Sequence, residues 1–88
     1  MPTNPPANKD MMTEARHAIE ALEAEGFVVM AGPEGTSFYV QEPAGEVTVD
    51  ANGHDVRERL HLRLQADPAF RAAVKALILA ERPYGAAR

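Results

Sequence analysis

Five basic residues crowd the second half of the chain: Arg57, Arg59 and Arg63 within seven residues, then Arg71 and Lys75 four apart. Clustered cations of this kind can hold phosphate, and arginine does so with a two-pronged fork. No aromatic residue stands between Arg57 and Arg63 to stack on a base. The same basic face would equally serve as counterpart to an acidic helix elsewhere in the chain. In the same region His54, Glu58 and His61 stand at i, i+4 and i+7, with Asp50 close by. On a helix the first three would share a face, but the spacing matches no metal-binding signature, and solvent-facing histidines beside a capping glutamate account for it. No metal or cofactor is expected. Nucleophilic catalysis needs Ser, Thr, Cys or Lys beside an oriented base. Cysteine is absent, and Ser37 follows a turn with no histidine or carboxylate placed beside it. No catalytic residue emerges, so the chain reads as a non-enzyme.

Charge divides unevenly along the 88 residues. Residues 1–53 carry Lys9 and Arg16 against nine acids, a net of −7, whereas residues 54–88 carry a net of +3; together they give −4. Such asymmetry either steers a binding partner or reflects two halves that pack on each other. The net negative charge opposes general affinity for nucleic acid. The length fits one domain. The absence of cysteine rules out disulfides and fits a reducing cytoplasm. The opening MPTNPPANKD has no apolar core of a secretory leader. The run from Ala72 to Ala80 is interrupted by Lys75 and is too short to span a membrane. A soluble, cytoplasmic protein is expected, and the heavy use of Ala, Arg, Gly and Pro suggests bacterial or phage origin.

The elements that must position these residues can be read in turn. Residues 1–8, with three prolines, are expected to form a disordered arm, and 9–83 a single domain followed by a flexible tail at 84–88. Met12, Ala15, Ile19 and Leu22 follow a 3,4,3 spacing that predicts a helix over about 10–25, ended by a left-handed Gly26. Residues 27–31, 37–42 and 46–50 are three short apolar runs separated by Gly32-Pro33-Glu34-Gly35 and Glu42-Pro43-Ala44-Gly45. Turns this short predict a three-stranded antiparallel meander. In residues 54–66, Leu60, Leu62 and Leu64 alternate like a strand, and Asn52-Gly53 could be a hairpin turn into one. The helix-forming composition and the capping spacing of Asp55 and Glu58 favour a helix instead. Asp67-Pro68 opens a last helix whose apolar face is Phe70, Val74, Leu77 and Ile78, with Pro83 as its stop. The expected fold is α+β in the order α-β-β-β-α-α: a three-stranded antiparallel meander, one N-terminal helix and one or two C-terminal helices.

The run AIEALEAEGFVVMAGPEGTSFYVQEPAGEVTVD, residues 18–50, resembles the opening of the HicA-like toxins: a helix ending in Gly-Phe, a strand, a glycine-rich turn, a second strand, a Pro/Gly turn and a third strand. The resemblance implies a double-stranded-RNA-binding-like α-β-β-β-α fold. That family places a histidine after the Gly-Ser of the first turn. Here the turn reads Gly35-Thr36-Ser37-Phe38, so the residue that would carry RNA cleavage is missing and no catalytic residue is transferred.

One sheet face, with Phe27, Val29, Phe38, Val40, Val47 and Val49, makes a sufficient floor for the helices. The other carries Val28, Met30 and Tyr39 beside Gln41 and Thr48. Either a C-terminal helix covers this second face, or it meets a protein partner, since Met and Tyr are enriched at interfaces. An edge strand could also pair with a copy of itself and make a homodimer. The leading expectation is a non-enzymatic interaction module that docks on a protein partner or on itself through Val28, Met30 and Tyr39. The alternative is an RNA- or DNA-binding protein of the HicA-like fold, without the catalytic histidine, that uses Arg57, Arg59, Arg63, Arg71 and Lys75.

Overall fold

The computed structural model describes residues 5–85. In these residues the chain folds as α1 (Pro5–Ala24), β1 (Val28–Ala31), β2 (Phe38–Gln41), α2 (Val56–Ala66) and α3 (Pro68–Glu81). Helix α1 begins at Pro5, about five residues before the expected start, because proline's fixed φ and missing N–H suit the first helical turn. Residues 5–8 of the expected arm therefore belong to α1, while residues 1–4 lie outside the described residues. At the other end Tyr84 and Gly85 form a turn, and 86–88 lie outside the described residues.

The spacing of Ala15, Ile19 and Leu22 buries all three completely, and Met12 is half-buried beside them. Gly26 ends the helix at φ +98°. Its N–H donates to the Glu23 carbonyl, and the N–H of Phe27 donates to the Leu22 carbonyl. This is the paired-bond cap that a left-handed glycine permits, and Phe27 and Leu22 pack in the same core on either side of it. The cap aims the chain from α1 straight into β1.

The sheet is a two-stranded antiparallel hairpin with Val28 opposite Gln41, Val29 opposite Val40, Met30 opposite Tyr39 and Ala31 opposite Phe38. Its turn closes through the N–H of Gly35 to the Gly32 carbonyl and the N–H of Gly32 to the Ser37 carbonyl. Pro33 sits where its fixed φ helps, and Glu34, like every non-glycine among the described residues, has no positive φ, which makes this a type I rather than a type II turn.

The third strand expected at residues 46–50 does not form. Val47 leans against the core, Val49 is 53% exposed, and the segment makes no ladder with β2. Its end is drawn away toward α2. The Asp50 carboxylate accepts from the backbone N–H groups of Asn52 and His54, and the Asp50 N–H donates to the His54 carbonyl. Its start is also displaced, since Pro43 lies against Gly26: a methyl group on that glycine would sit 3.1 Å from the Pro43 Cβ.

Residues 56–66 are helical. Asp55 caps α2 by accepting from the Glu58 N–H, and Glu58 reaches back to accept from the Asp55 N–H, a complete capping box. Only Leu60 is buried; Val56 and Leu64 are half-buried, and Leu62 is 49% exposed on another face. Asp67 is a double joint. Its N–H closes α2 on the Arg63 carbonyl, and its carboxylate accepts from the Phe70 N–H to open α3. Phe70, Val74, Leu77 and Ile78 are buried as their spacing predicts. They complete one core with α1, Phe27, Val29 and Leu60. The fold is thus α+β, with an N-terminal helix, a two-stranded antiparallel sheet and two C-terminal helices.

Replacing Gly26 with alanine forces a Cβ into the left-handed region and against Pro43. The expected loss is about 1–2 kcal/mol, read as a lower urea midpoint with an unchanged m-value.

Candidate groove at the open sheet edge

The hairpin's hydrogen-bond phase follows from its turn. The Gly32 N–H bonds Ser37, so Met30 with Tyr39 and Val28 with Gln41 are also the hydrogen-bonded pairs. The backbone groups of Val29 and Ala31 then point to the outer edge of β1, and those of Phe38 and Val40 to the outer edge of β2. The two edges are treated differently. On β1, the Ala31 N–H donates to the Arg82 carbonyl, so the chain leaving α3 partly closes that side. On β2, no backbone group of the described residues outside the hairpin pairs with Phe38 or Val40.

A groove of about 540 Å³ lies beside this open edge. Its apolar walls are Phe38 and Val40 of β2 and Leu60 and Leu64 of α2. The narrow apolar stripe of α2 explains the gap: Leu60 is fully engaged in the core, while Leu64 is left half-buried. Arg57, His61 and Gln65 of α2 and Arg71 of α3 supply the polar lining. Among the described residues no carboxylate lines the groove. Tyr39, 40% exposed, borders it from the strand.

The expected basic patch separates into two groups. Arg59 donates to the Asp50 carboxylate at 3.2 Å and to the His54 carbonyl at 2.9 Å. Arg63 pairs with Glu14 of α1, and its guanidinium lies 3.8 Å from the centre of the Phe70 ring. Both are committed within the chain. Arg57, Arg71 and the half-buried Lys75 take part in no salt bridge among the described residues. Arg57 and Arg71 converge on the groove; Arg59, Arg63 and Lys75 do not line it.

Of the residues expected to bind a partner, Val28 and Met30 share a sheet face with Tyr39, as the register shows. Met30 is 8% exposed, Val28 is half-buried, and only Tyr39 is well exposed. Val28 and Met30 line a smaller groove of about 310 Å³ over the outer edge of β1. Its charged residues are paired. Arg82 forks onto Glu23 at 2.6 and 2.8 Å, and Arg16 forks onto Glu81 at 2.6 and 2.9 Å. Sequence reasoning had no means of finding the β2–α2 groove, because it arises from a strand that fails to pair.

The described residues hold no group of three or more His, Asp or Glu placed to bind a metal. The carboxylates of Asp50 and Glu58 are both occupied by backbone N–H groups. No helix of the described residues is long and apolar enough to cross a membrane. Phe38, which follows Ser37 in the first turn, is half-buried against the core. No protein-family model matches the chain, and no curated protein or solved structure is significantly similar to it.

Two carboxylates are held below their ordinary range. Asp50 is lowered chiefly by the His54 N–H, then by the Asn52 N–H and Arg59; Glu81 is lowered chiefly by its hydrogen bond to Arg16. A carboxylate with a depressed folded-state pKa contributes stability above its unfolded value, and that contribution is lost as pH falls through the folded value. Asp50→Asn keeps the Oδ1 acceptor but removes the charge. It should lower the melting temperature at neutral pH, and the gap to wild type should close as pH falls below about 4, measured by thermal unfolding across pH.

Proposed function

We propose that this chain is a non-enzymatic interaction module that docks on a protein partner through the groove between β2 and α2. The observation that carries this reading is the coincidence of three features at one place: an unpaired sheet edge, an apolar groove and two arginines without an internal counter-ion. Monomeric domains ordinarily cover or blunt a free edge, and a groove of this size lies within the range of binding sites. Tyr39 stays in the docking surface as its aromatic border, whereas Val28 and Met30 line the other groove, over the outer edge of β1.

Nucleic-acid binding is the second reading, favoured by the unpaired Arg57, Arg71 and Lys75. Its basic patch is reduced from five residues to three by the pairing of Arg59 with Asp50 and of Arg63 with Glu14.

Docking is tested with Leu64→Glu, which puts a charge in the groove at a half-buried site. A partner captured by the wild-type chain, then purified and titrated by calorimetry, should bind Leu64→Glu at least about tenfold more weakly, a change of roughly 1.4 kcal/mol. Tyr39→Ala should also weaken binding while changing stability by less than about 1 kcal/mol. Loss of several kcal/mol in Tyr39→Ala would instead make that side chain part of the core. Phosphate contacts predict an affinity for duplex RNA or DNA that falls steeply with salt, measured by fluorescence anisotropy. Absence of binding at low salt would dismiss the second reading.

A further inference from the structure

The groove's own chemistry narrows what it can take. The outer edge of β2 offers the N–H and C=O groups of Phe38 and Val40, two residues apart, which is the repeat of an extended chain. Arg57 and Arg71 line the same groove from two different helices, with no carboxylate of the described residues beside them in its lining. The side chains of Leu60 and Leu64 line the same groove. An extended segment sends alternate side chains to opposite sides, so one set can meet the apolar wall while the other meets the cations. We infer that the groove binds an extended acidic peptide segment of a partner protein, which adds to β2 as a third strand and places its carboxylates on Arg57 and Arg71.

This inference rests on the groove being the docking site. Strand addition draws affinity from main-chain hydrogen bonds and specificity from alternate side chains, and arginine forks readily onto carboxylate. A nucleic-acid backbone would leave both the sheet edge and the apolar wall unused. A second copy paired through its own β2 would face Arg57 and Arg71 with the same two cations across the two-fold axis. The outer edge of β1 offers no equivalent, since Arg82 takes the Ala31 N–H and the cations there are paired with Glu23 and Glu81.

The test titrates the ¹⁵N-labelled full chain with capped Glu-Val-Thr-Val-Glu and with its counterpart carrying lysine for glutamate. The expected result is amide shifts concentrated at Phe38, Val40, Arg57 and Leu64, with slowed amide exchange at Phe38 and Val40. Affinity should fall roughly tenfold for the lysine peptide and for the double variant Arg57→Ala, Arg71→Ala. Circular dichroism of that variant should be unchanged. No response to the acidic peptide at about 1 mM, equal affinity for both peptides, or shifts centred on Met30 would overturn the inference. Concentration-dependent dimerisation abolished by Val40→Pro would also overturn it and assign the edge to a second copy. If the peptide fails while Leu64→Glu still releases a captured partner, strand addition is wrong and the docking reading stands; if both fail, both are wrong.

Discussion

A two-stranded hairpin is not stable by itself in water, and everything else in this chain answers to that constraint. The hairpin has two faces and two edges to account for. One face, with Val29, Phe38 and Val40, lies on the core formed by α1 and α3. The cap at Gly26 makes this possible, because it turns the chain out of α1 with Phe27 and Leu22 already in the shared core. The strand is therefore delivered against the helix that precedes it, and α3 packs across both.

The uneven charge of the two halves serves the same end. Arg82 and Glu81 near the end of α3 fork with Glu23 and Arg16 of α1, Arg63 of α2 reaches Glu14 of α1, and Arg59 of α2 holds Asp50. Most of these partners lie far apart in sequence and join the acidic half to the basic half. Exposed pairs of this sort are worth about 1 kcal/mol or less each. They tie α2 and α3 to α1 at the surface, while the apolar core supplies the stability. What is left after this pairing is informative, because Arg57, Arg71 and Lys75 take part in no salt bridge among the described residues, and the first two line the groove.

Much of this fold was legible because local signals agreed with one another. The 3,4,3 spacing in α1, the left-handed Gly26, the Gly32–Gly35 turn and the Asp67-Pro68 start of α3 each have a single reading, and each is found. Residues 54–66 carried two patterns at once, and helix propensity with the Asp55–Glu58 cap outweighed the alternation of Leu60, Leu62 and Leu64. The segment 46–50 was misread for a physical reason. Val47-Thr48-Val49 has strand composition, but strand formation depends on a partner being within reach. Asp50 is held by the backbone of the loop before α2, which sequence alternation does not reveal. The candidate site was less legible than the fold, since a basic run in sequence does not show which cations are neutralised from a distance.

The missing strand and the groove are one fact seen twice. Had residues 46–50 paired with β2, they would have filled the outer edge with their own N–H and C=O groups, and α2 would have had a closed sheet to pack upon. Instead Val47 settles against the core, Asp50 joins the loop that leads into α2, and the edge is left beside a helix with only a narrow apolar stripe. The outer edge of β2 is therefore left without a strand from the segment that precedes α2. Arg57 and Arg71 line the groove beside that edge, and it is their charge that leads to the proposal of carboxylates on an added strand. The displaced segment itself alternates valine with acidic and hydroxyl residues, so its composition alone does not decide whether it pairs with that edge.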